Sequence, residues 1–304
     1  MQPMQPEGSR EGMPRAPAAS AGGLLEAMRP RQWTKNLFLF AGLVFTDNWR
    51  LLPTACSAFV AYCLMSSGVY LLNDVRDRDH DRLHPEKSLR PVARGAVAVP
   101  SAVGMGAVLC AAGLAICFAI SLRSGAVAAG FLALQAIYTL ALKHLVLLDV
   151  FGIAAAFVVR VIAGAVAIGV PSSEWLLVCT LQLALFMGFG KRRHELVELA
   201  ELAGAHRGSL NHYSVAFLDQ LISIVLGSLI VSYAVYSASS PTAASHPGMV
   251  ATLPFVIYGV FRYLYLIHIQ HMGGSPETIL LKDRPLQVAL ITWFVAVVTA
   301  FRVR

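Results

Sequence analysis

"LMSSGVYLLNDVRDRDHDRLHPEKSLRP", residues 64–91, turns abruptly from an apolar run into a charged one. Its last nineteen residues hold five acidic and five basic side chains, in a chain that is only 13% charged. The surrounding sequence makes the contrast sharper. Of 304 residues, 57% are apolar, and the mean hydropathy is +0.64. Soluble domains carry roughly 45–50% apolar and about 25% charged residues. Stretches of about 20 apolar residues read as membrane-spanning helices. The chain therefore reads as all-α, a polytopic membrane helical bundle in which a span ends at residue 72 and a charged motif begins at its mouth.

Apolar runs between breakers predict about nine spans, near 36–46, 51–72, 97–120, 124–142, 146–169, 174–190, 214–237, 249–268 and 285–302. The first is short and needs its amphipathic approach, "RPRQWTKN", to help it cross; eight spans is the alternative. Residues 1–25, rich in Pro, Gly, Ala and Ser, read as a disordered tail without the apolar core and cleavage site of a signal peptide. Residues 26–304 read as one transmembrane domain. The five cysteines all fall in apolar runs with no CxxC pair, which argues against a disulfide framework or a zinc ribbon.

With nine spans, the N-terminus and the loops after spans 2, 4, 6 and 8 share one side. That side collects eighteen of the 24 Lys and Arg residues. The other side has Arg50, Arg123, Arg302 and Arg304, while Arg160 and Arg262 stay within spans. Basic loops mark the cytoplasmic side. The net charge of +7 thus follows in part from topology, and no nucleic-acid-binding signature accompanies it. Charge gathered on one rim, rather than deep in several spans, also counts against a transporter.

If span 2 continues as a helix past the surface, Asp74, Asp77 and Asp81 are spaced i, i+3, i+7 and share one face. Asn73 lies at its margin, Asp79 points the other way, and Pro85 ends the helix. Like charges so placed destabilise an empty helix. Oxygen-only ligands suit a hard cation such as Mg²⁺, which bridges carboxylates to substrate phosphates. Lys87, Arg90 and Arg94 are placed to add phosphate contacts.

"NDVRDRDHD" resembles the first aspartate-rich motif, NDxxDxxxD, of the UbiA-type intramembrane prenyltransferase superfamily, and the resemblance extends over nearly the whole chain after the tail. It implies a helical bundle around a central cavity. It also implies that Asn73, Asp74, Asp77 and Asp81 bind a diphosphate through Mg²⁺ (or Mn²⁺), the three aspartates being catalytic. Ordinary members carry a second acidic motif at the end of span 6. Here that position reads "GFGKRRHELVELAE", where Lys191, His194, Glu195 and Glu198 share a helical face with Arg192 near its edge. A basic site suits a substrate pair with additional phosphate groups.

Together with "RPRQWTKN" and "ILLKDRPLQ", these stretches resemble the decaprenyl-phosphate phosphoribosyltransferase subgroup. The resemblance implies transfer of 5-phosphoribose from phosphoribosyl diphosphate to a polyprenyl phosphate. Pyrophosphate leaves, and the product is a lipid-linked phosphoribose used toward a cell-wall arabinan donor. The expected place is a bacterial plasma membrane, with the active site on the cytoplasmic side and a homo-oligomer as the ordinary assembly. Lys35, Asn36, Tyr138, Lys143, Arg160, Lys191, Arg192, Glu195, Lys282 and Arg284 complete the expected substrate-binding set. For Arg160, mid-span in "AAAFVVRVIAGA", the expectation is a phosphate contact, with an ion pair to an acid such as Asp149 as the structural alternative. The rival function is transfer of a polyprenyl chain from its diphosphate to an aromatic acceptor, which an acidic second motif would have favoured.

Overall fold

The computed structural model describes residues 21–44, 49–83, 87–201, 212–270, 272, 279 and 282–302, the side chains of 21 and 198–201 excepted. Every regular element among them is helical. After α1 (Ala21–Ala27), a 3₁₀ helix, Pro30–Phe40, runs into α2 (Ala41–Val44). A 3₁₀ turn, Trp49–Leu51, leads into α3 (Leu52–Arg76), followed by α4 (Arg78–Arg82). Next come α5 (Val99–Ile120), α6 (Leu122–Leu140), α7 (Leu148–Ala167) and α8 (Glu174–Glu201). The bundle closes with α9 (Val215–Ser239), α10 (Pro241–Ser245), α11 (Leu253–His268) and α12 (Arg284–Arg302). Several starts follow from local chemistry. Proline occupies the first turn of α3, α5 and α11, where its missing N–H costs nothing. Ser121 and Ser214 cap α6 and α9 by accepting the backbone N–H three residues on.

Among the described residues, eight helical stretches are long and apolar enough to cross a membrane. The expected first span is different. Its residues pair with α3 in antiparallel order: Arg29 with Asp74, Trp33 Nε1 with Ser67 Oγ at 3.0 Å and Asn36 Nδ2 with Cys63 Sγ at 3.3 Å. The Phe40 and Phe59 rings follow, 5.4 Å apart. Leu43 then packs with Ala55. From Ala55 to Asp74 an α-helix rises about 28 Å at about 1.5 Å per residue. The stretch from Arg29 to Leu43 matches that depth with fewer residues because a 3₁₀ helix rises about 2.0 Å per residue. The short apolar run therefore lies alongside α3 over most of that helix's length. Long 3₁₀ runs are uncommon, and this one is clamped between α3 and α7. A Cβ on Gly164 would overlap the Leu39 carbonyl oxygen, so only glycine admits that approach.

Lipid tails are as apolar as leucine, so contacts between these helices rest on close packing more than on expulsion of water. One core joins α7, α8, α9, α11 and α12 through Phe157, Phe186, Leu218, Ile222, Leu266 and Leu286. A second joins the 3₁₀ helix, α3, α6 and α7 through Leu39, Tyr62, Met65, Phe131 and Ala163. Helix α7 belongs to both and ties the two halves together.

One boundary differs from the expectation. Of the tail 1–25, residues 1–20 lie outside the described residues, while 21–25 are part of α1. Ala27 is fully buried against Leu71, Val92 and Val97 at the rim. Apolar contact with the end of α3 thus orders the chain earlier than its composition suggests. All five cysteines are free thiols.

Candidate active site at the charged rim

Helix α3 runs to Arg76, breaks at Asp77 (φ −89°, ψ 4°) and resumes as α4. The hydrogen-bond ladder bridges the break: Asp77 N–H donates to Asn73 O at 2.9 Å, and Asp81 N–H to Asp77 O at 2.8 Å. The helical step therefore carries through the corner. Asp74 and Asp81 are buried, while the Asp79 side chain is 92% exposed on the opposite side. The helix stops at Arg82, ahead of Pro85, which lies outside the described residues.

Each aspartate of the motif meets a cation. Arg29 donates to Asp74 and stacks over the Tyr70 ring at 5.1 Å. Arg90 Nη1 donates to Asp74 Oδ1 at 3.3 Å and to Asp81 Oδ2 at 2.7 Å. Lys143 Nζ donates to both oxygens of Asp77, at 2.8 and 3.0 Å. Asn73 Oδ1 accepts from Thr139 Oγ1 at 2.9 Å. Four parts of the chain thus converge: the start of the 3₁₀ helix, the α3–α4 corner, the turn at Lys87–Leu89, and the α6–α7 link. Three carboxylates balance three cations, so the cluster is close to neutral as it stands.

The donor chemistry fits a hard divalent cation. The ligand atoms are carboxylate oxygens, and Asp74 Oδ2 is buried without a hydrogen-bond partner. Such an atom costs free energy unless something satisfies it. A single guanidinium nitrogen already bridges Asp74 and Asp81, so these two would be the first to hold a metal. Among the described residues no three His, Cys, Asp or Glu side chains converge on one point, because Lys143 draws Asp77 toward the α6–α7 link. Asn73, expected among the ligands, has its amide oxygen on Thr139.

A second cluster stands at the start of α7. Asp149 is fully buried. Its Oδ2 accepts from Arg192 Nε at 2.7 Å, and its Oδ1 from Tyr213 OH at 2.8 Å. Arg192 Nη1 donates to Glu195 Oε2 at 2.6 Å. The Tyr213 oxygen accepts the Leu147 N–H at 2.6 Å. Burial pushes the Tyr213 hydroxyl up to about 12, so it stays a donor in the physiological range. The face of α8 that turns into the protein is centred on Arg192, with Lys191 exposed. That corrects the expectation of Lys191 at the centre and Arg192 at the edge. The buried carboxylate of Asp149 sets this orientation.

The remaining expected residues scatter. Arg160 joins neither cluster. It donates from Nε to Asn36 Oδ1 at 2.7 Å and from Nη1 to Ala156 O at 2.8 Å, with its guanidinium 4.7 Å from the Phe131 centroid. It lies eleven residues along α7 from Asp149, about 16 Å deeper, and Asp149 is held by other partners. Tyr138 packs against Gly152, within electrostatic reach of Arg192. Lys35 and Lys87 are half-buried near the rim. Lys282 and Arg284 are exposed. Arg284 lines an outer groove of about 500 Å³ with Phe255, Tyr258, Val288 and Thr292. Between those two residues, Asp283 caps α12 through Leu286 N–H at 2.8 Å. It also accepts from Arg262, which holds its carboxyl below the usual range. Three residues escaped the sequence reading: Arg29, Thr139 and Tyr213. Arg29 stood in "RPRQWTKN" but read only as a topology signal, and nothing in the sequence connects Tyr213 to a carboxylate 64 positions earlier.

A bundle of membrane-crossing helices with an aspartate cluster at one rim defines a class, and the chain belongs to it. It is a polytopic integral membrane protein of the UbiA prenyltransferase family, whose model matches residues 36–279. The chain is 35% identical to the decaprenyl-phosphate phosphoribosyltransferase of Mycolicibacterium smegmatis, covering 94% of this chain and 95% of that protein. It is 32% identical to the protein of the same name from Corynebacterium glutamicum, covering 93% and 88%. The structure of a UbiA homolog from Archaeoglobus fulgidus bound to GPP and Mg²⁺ shares the fold, with a TM-score of 0.69 at 18% identity over 92% of this chain and all of that one.

Proposed function

We propose that the protein transfers 5-phosphoribose from phosphoribosyl diphosphate to a polyprenyl phosphate such as decaprenyl phosphate. The reaction releases pyrophosphate at the cytoplasmic face of a bacterial plasma membrane. The observation that carries this reading is the pair of clusters at the rim. One is a charge-balanced set of three carboxylates and three cations; its neighbour is built on a buried arginine. The near full-length relatives that carry the phosphoribosyltransferase name support it.

The donor's diphosphate sits against Asp74, Asp77 and Asp81. Mg²⁺ held there would neutralise charge building on the departing pyrophosphate, which is what a metal contributes in such transfers. With a metal held by the carboxylates, Arg29, Arg90 and Lys143 would be available to phosphate oxygens. The bond from ribose C1 to the diphosphate oxygen breaks, and a bond from C1 to the lipid phosphate oxygen forms on the opposite face, inverting the anomer. A phosphate monoester is already anionic, so no strong general base is needed. Arg192, fixed by Asp149 and Glu195, holds a second phosphate, with Tyr138 beside it. Lys35, Asn36, Lys87, Arg160, Lys191, Glu195, Lys282 and Arg284 remain the wider proposed contact set. Among them Arg160 and Asn36 form a deeper pair, and Arg284 faces the outer groove.

The test uses purified protein in detergent with decaprenyl phosphate, Mg²⁺ and radiolabelled phosphoribosyl diphosphate. Metal-dependent entry of label into the organic phase is the expected result. Absence of transfer, with activity instead on a polyprenyl diphosphate and an aromatic acceptor, would move the protein to the prenyl-transferring branch of its family.

A further inference from the structure

Tyr213 stands two residues before α9, yet its hydroxyl reaches the start of α7. Two contacts make it more than a packing residue. As an acceptor it takes the N–H of Leu147, whose φ of 65° and ψ of −45° lie in a region that a leucine occupies only at a cost. As a donor it completes the hydrogen bonding of Asp149, whose other oxygen holds Arg192. Both oxygens of Asp149 are therefore engaged, and the carboxylate is spent on orientation. Arg192 has five N–H donors. Nε is committed to Asp149 and one Nη1 hydrogen to Glu195, which fixes the plane and direction of the guanidinium. Leu147 lies four residues beyond Lys143, the partner of Asp77. One hydroxyl thus steadies the arginine of one cluster and the turn that follows the lysine of the other.

We infer that Tyr213 is a positioning residue for phosphate recognition, acting through Asp149 to aim the Arg192 guanidinium. This rests on the reading of Arg192 as a phosphate ligand. The alternative is that Tyr213 only stabilises the fold, and a double-mutant cycle separates the two because coupled residues give non-additive effects. The variants are Tyr213→Phe, Arg192→Lys and the pair; Arg192→Lys keeps a cation beside buried Asp149 so that the background folds. Two quantities are measured on protein in detergent: KM and kcat for each substrate, and protection by inorganic phosphate, the group assigned to Arg192, against thermal unfolding.

Tyr213→Phe is expected to raise KM about tenfold for the phosphorylated substrate that Arg192 serves, with kcat changed less than about twofold. In the Arg192→Lys background it should add nothing. An equal loss in both backgrounds, or a fall in kcat with KM unmoved, would overturn the inference. If wild-type protein shows no phosphoribosyl transfer, the functional reading fails on its own. The phosphate cycle then still decides: protection lost in Tyr213→Phe and not further in the pair supports positioning, and protection unchanged by Tyr213→Phe overturns it.

Discussion

At the end of α3, each aspartate of the motif leans on a cation and one oxygen of Asp74 is left over. At the start of α7, both oxygens of Asp149 are bonded, and the arginine that holds it has a side chain only 3% exposed. The cations of the first cluster are more accessible, with Arg29 and Arg90 side chains 29% and 28% exposed. Lys143, at 9%, is the exception, but its partner Asp77 is 35% exposed. Pairs that reach water can trade partners when a charged ligand arrives. Pairs sealed from it cannot without a large penalty. The rim therefore combines an exchangeable half with a fixed half, as a site that must both release a charged product and hold its geometry requires.

Breaking the exchangeable half should cost the most activity. Asp77→Asn removes the charge but preserves the shape, and transfer of label is expected to fall about 10²–10³-fold, the range for losing one group that stabilises transition-state charge. A variant within threefold of wild type would detach the motif from the chemistry.

The fixed half should fail through stability. Arg192→Met strands a buried carboxylate, at a cost of about 3–5 kcal/mol, whereas Arg90→Met leaves Arg29 on Asp74 and should lower the melting temperature far less. Equal losses in thermal unfolding would erase the contrast between the clusters.

Arg29→Ala sharpens the idea of exchange. With Arg29 gone and only the longer Arg90 contact left on Asp74, Mn²⁺ binding measured by electron paramagnetic resonance should tighten severalfold. Binding of pyrophosphate with the metal should weaken about 10–100-fold, as for a lost charged hydrogen bond of about 1.5–3 kcal/mol. Shifts in the same direction would contradict partner exchange.

The smallest effect belongs to Asp283, away from both clusters. Arg262 holds its carboxyl below the usual value of 3.8, so the ionised form is favoured in the fold. Its stabilisation is present above that value and is lost as pH falls below it toward the folded pKa. Melting temperatures from about pH 6 down to about pH 3 should drop less for Asp283→Asn than for wild type, though the variant starts lower because it lacks the Arg262 pair.

How much of this was legible depends on range. The exposure of Asp79 and the burial of Asp74 and Asp81 follow from helical spacing and were readable from "NDVRDRDHD". The partners were not. Lys143 reaches Asp77 across 66 positions, and Arg29 reaches Asp74 across 45. Arg192 and Lys191 are neighbours of similar charge, and periodicity could not decide which one faces inward; a buried aspartate on another helix does. Arg160, an isolated cation in mid-span, read as a phosphate contact, and its partner there, Asn36, lies 124 positions away in the chain.

By itself the sequence determined the membrane bundle, the side on which charge collects, and the face shared by Asp74 and Asp81. Those depend on hydropathy, on basic loops and on a 100° step, all properties of neighbours in the chain. Only the tertiary structure decided that a 3₁₀ helix runs alongside α3, that the acidic motif is charge-balanced by three distant cations, and that Tyr213 closes the second cluster. Such pairings are set by which helices pack together, and the interaction that selects them acts through space between residues that the chain keeps far apart.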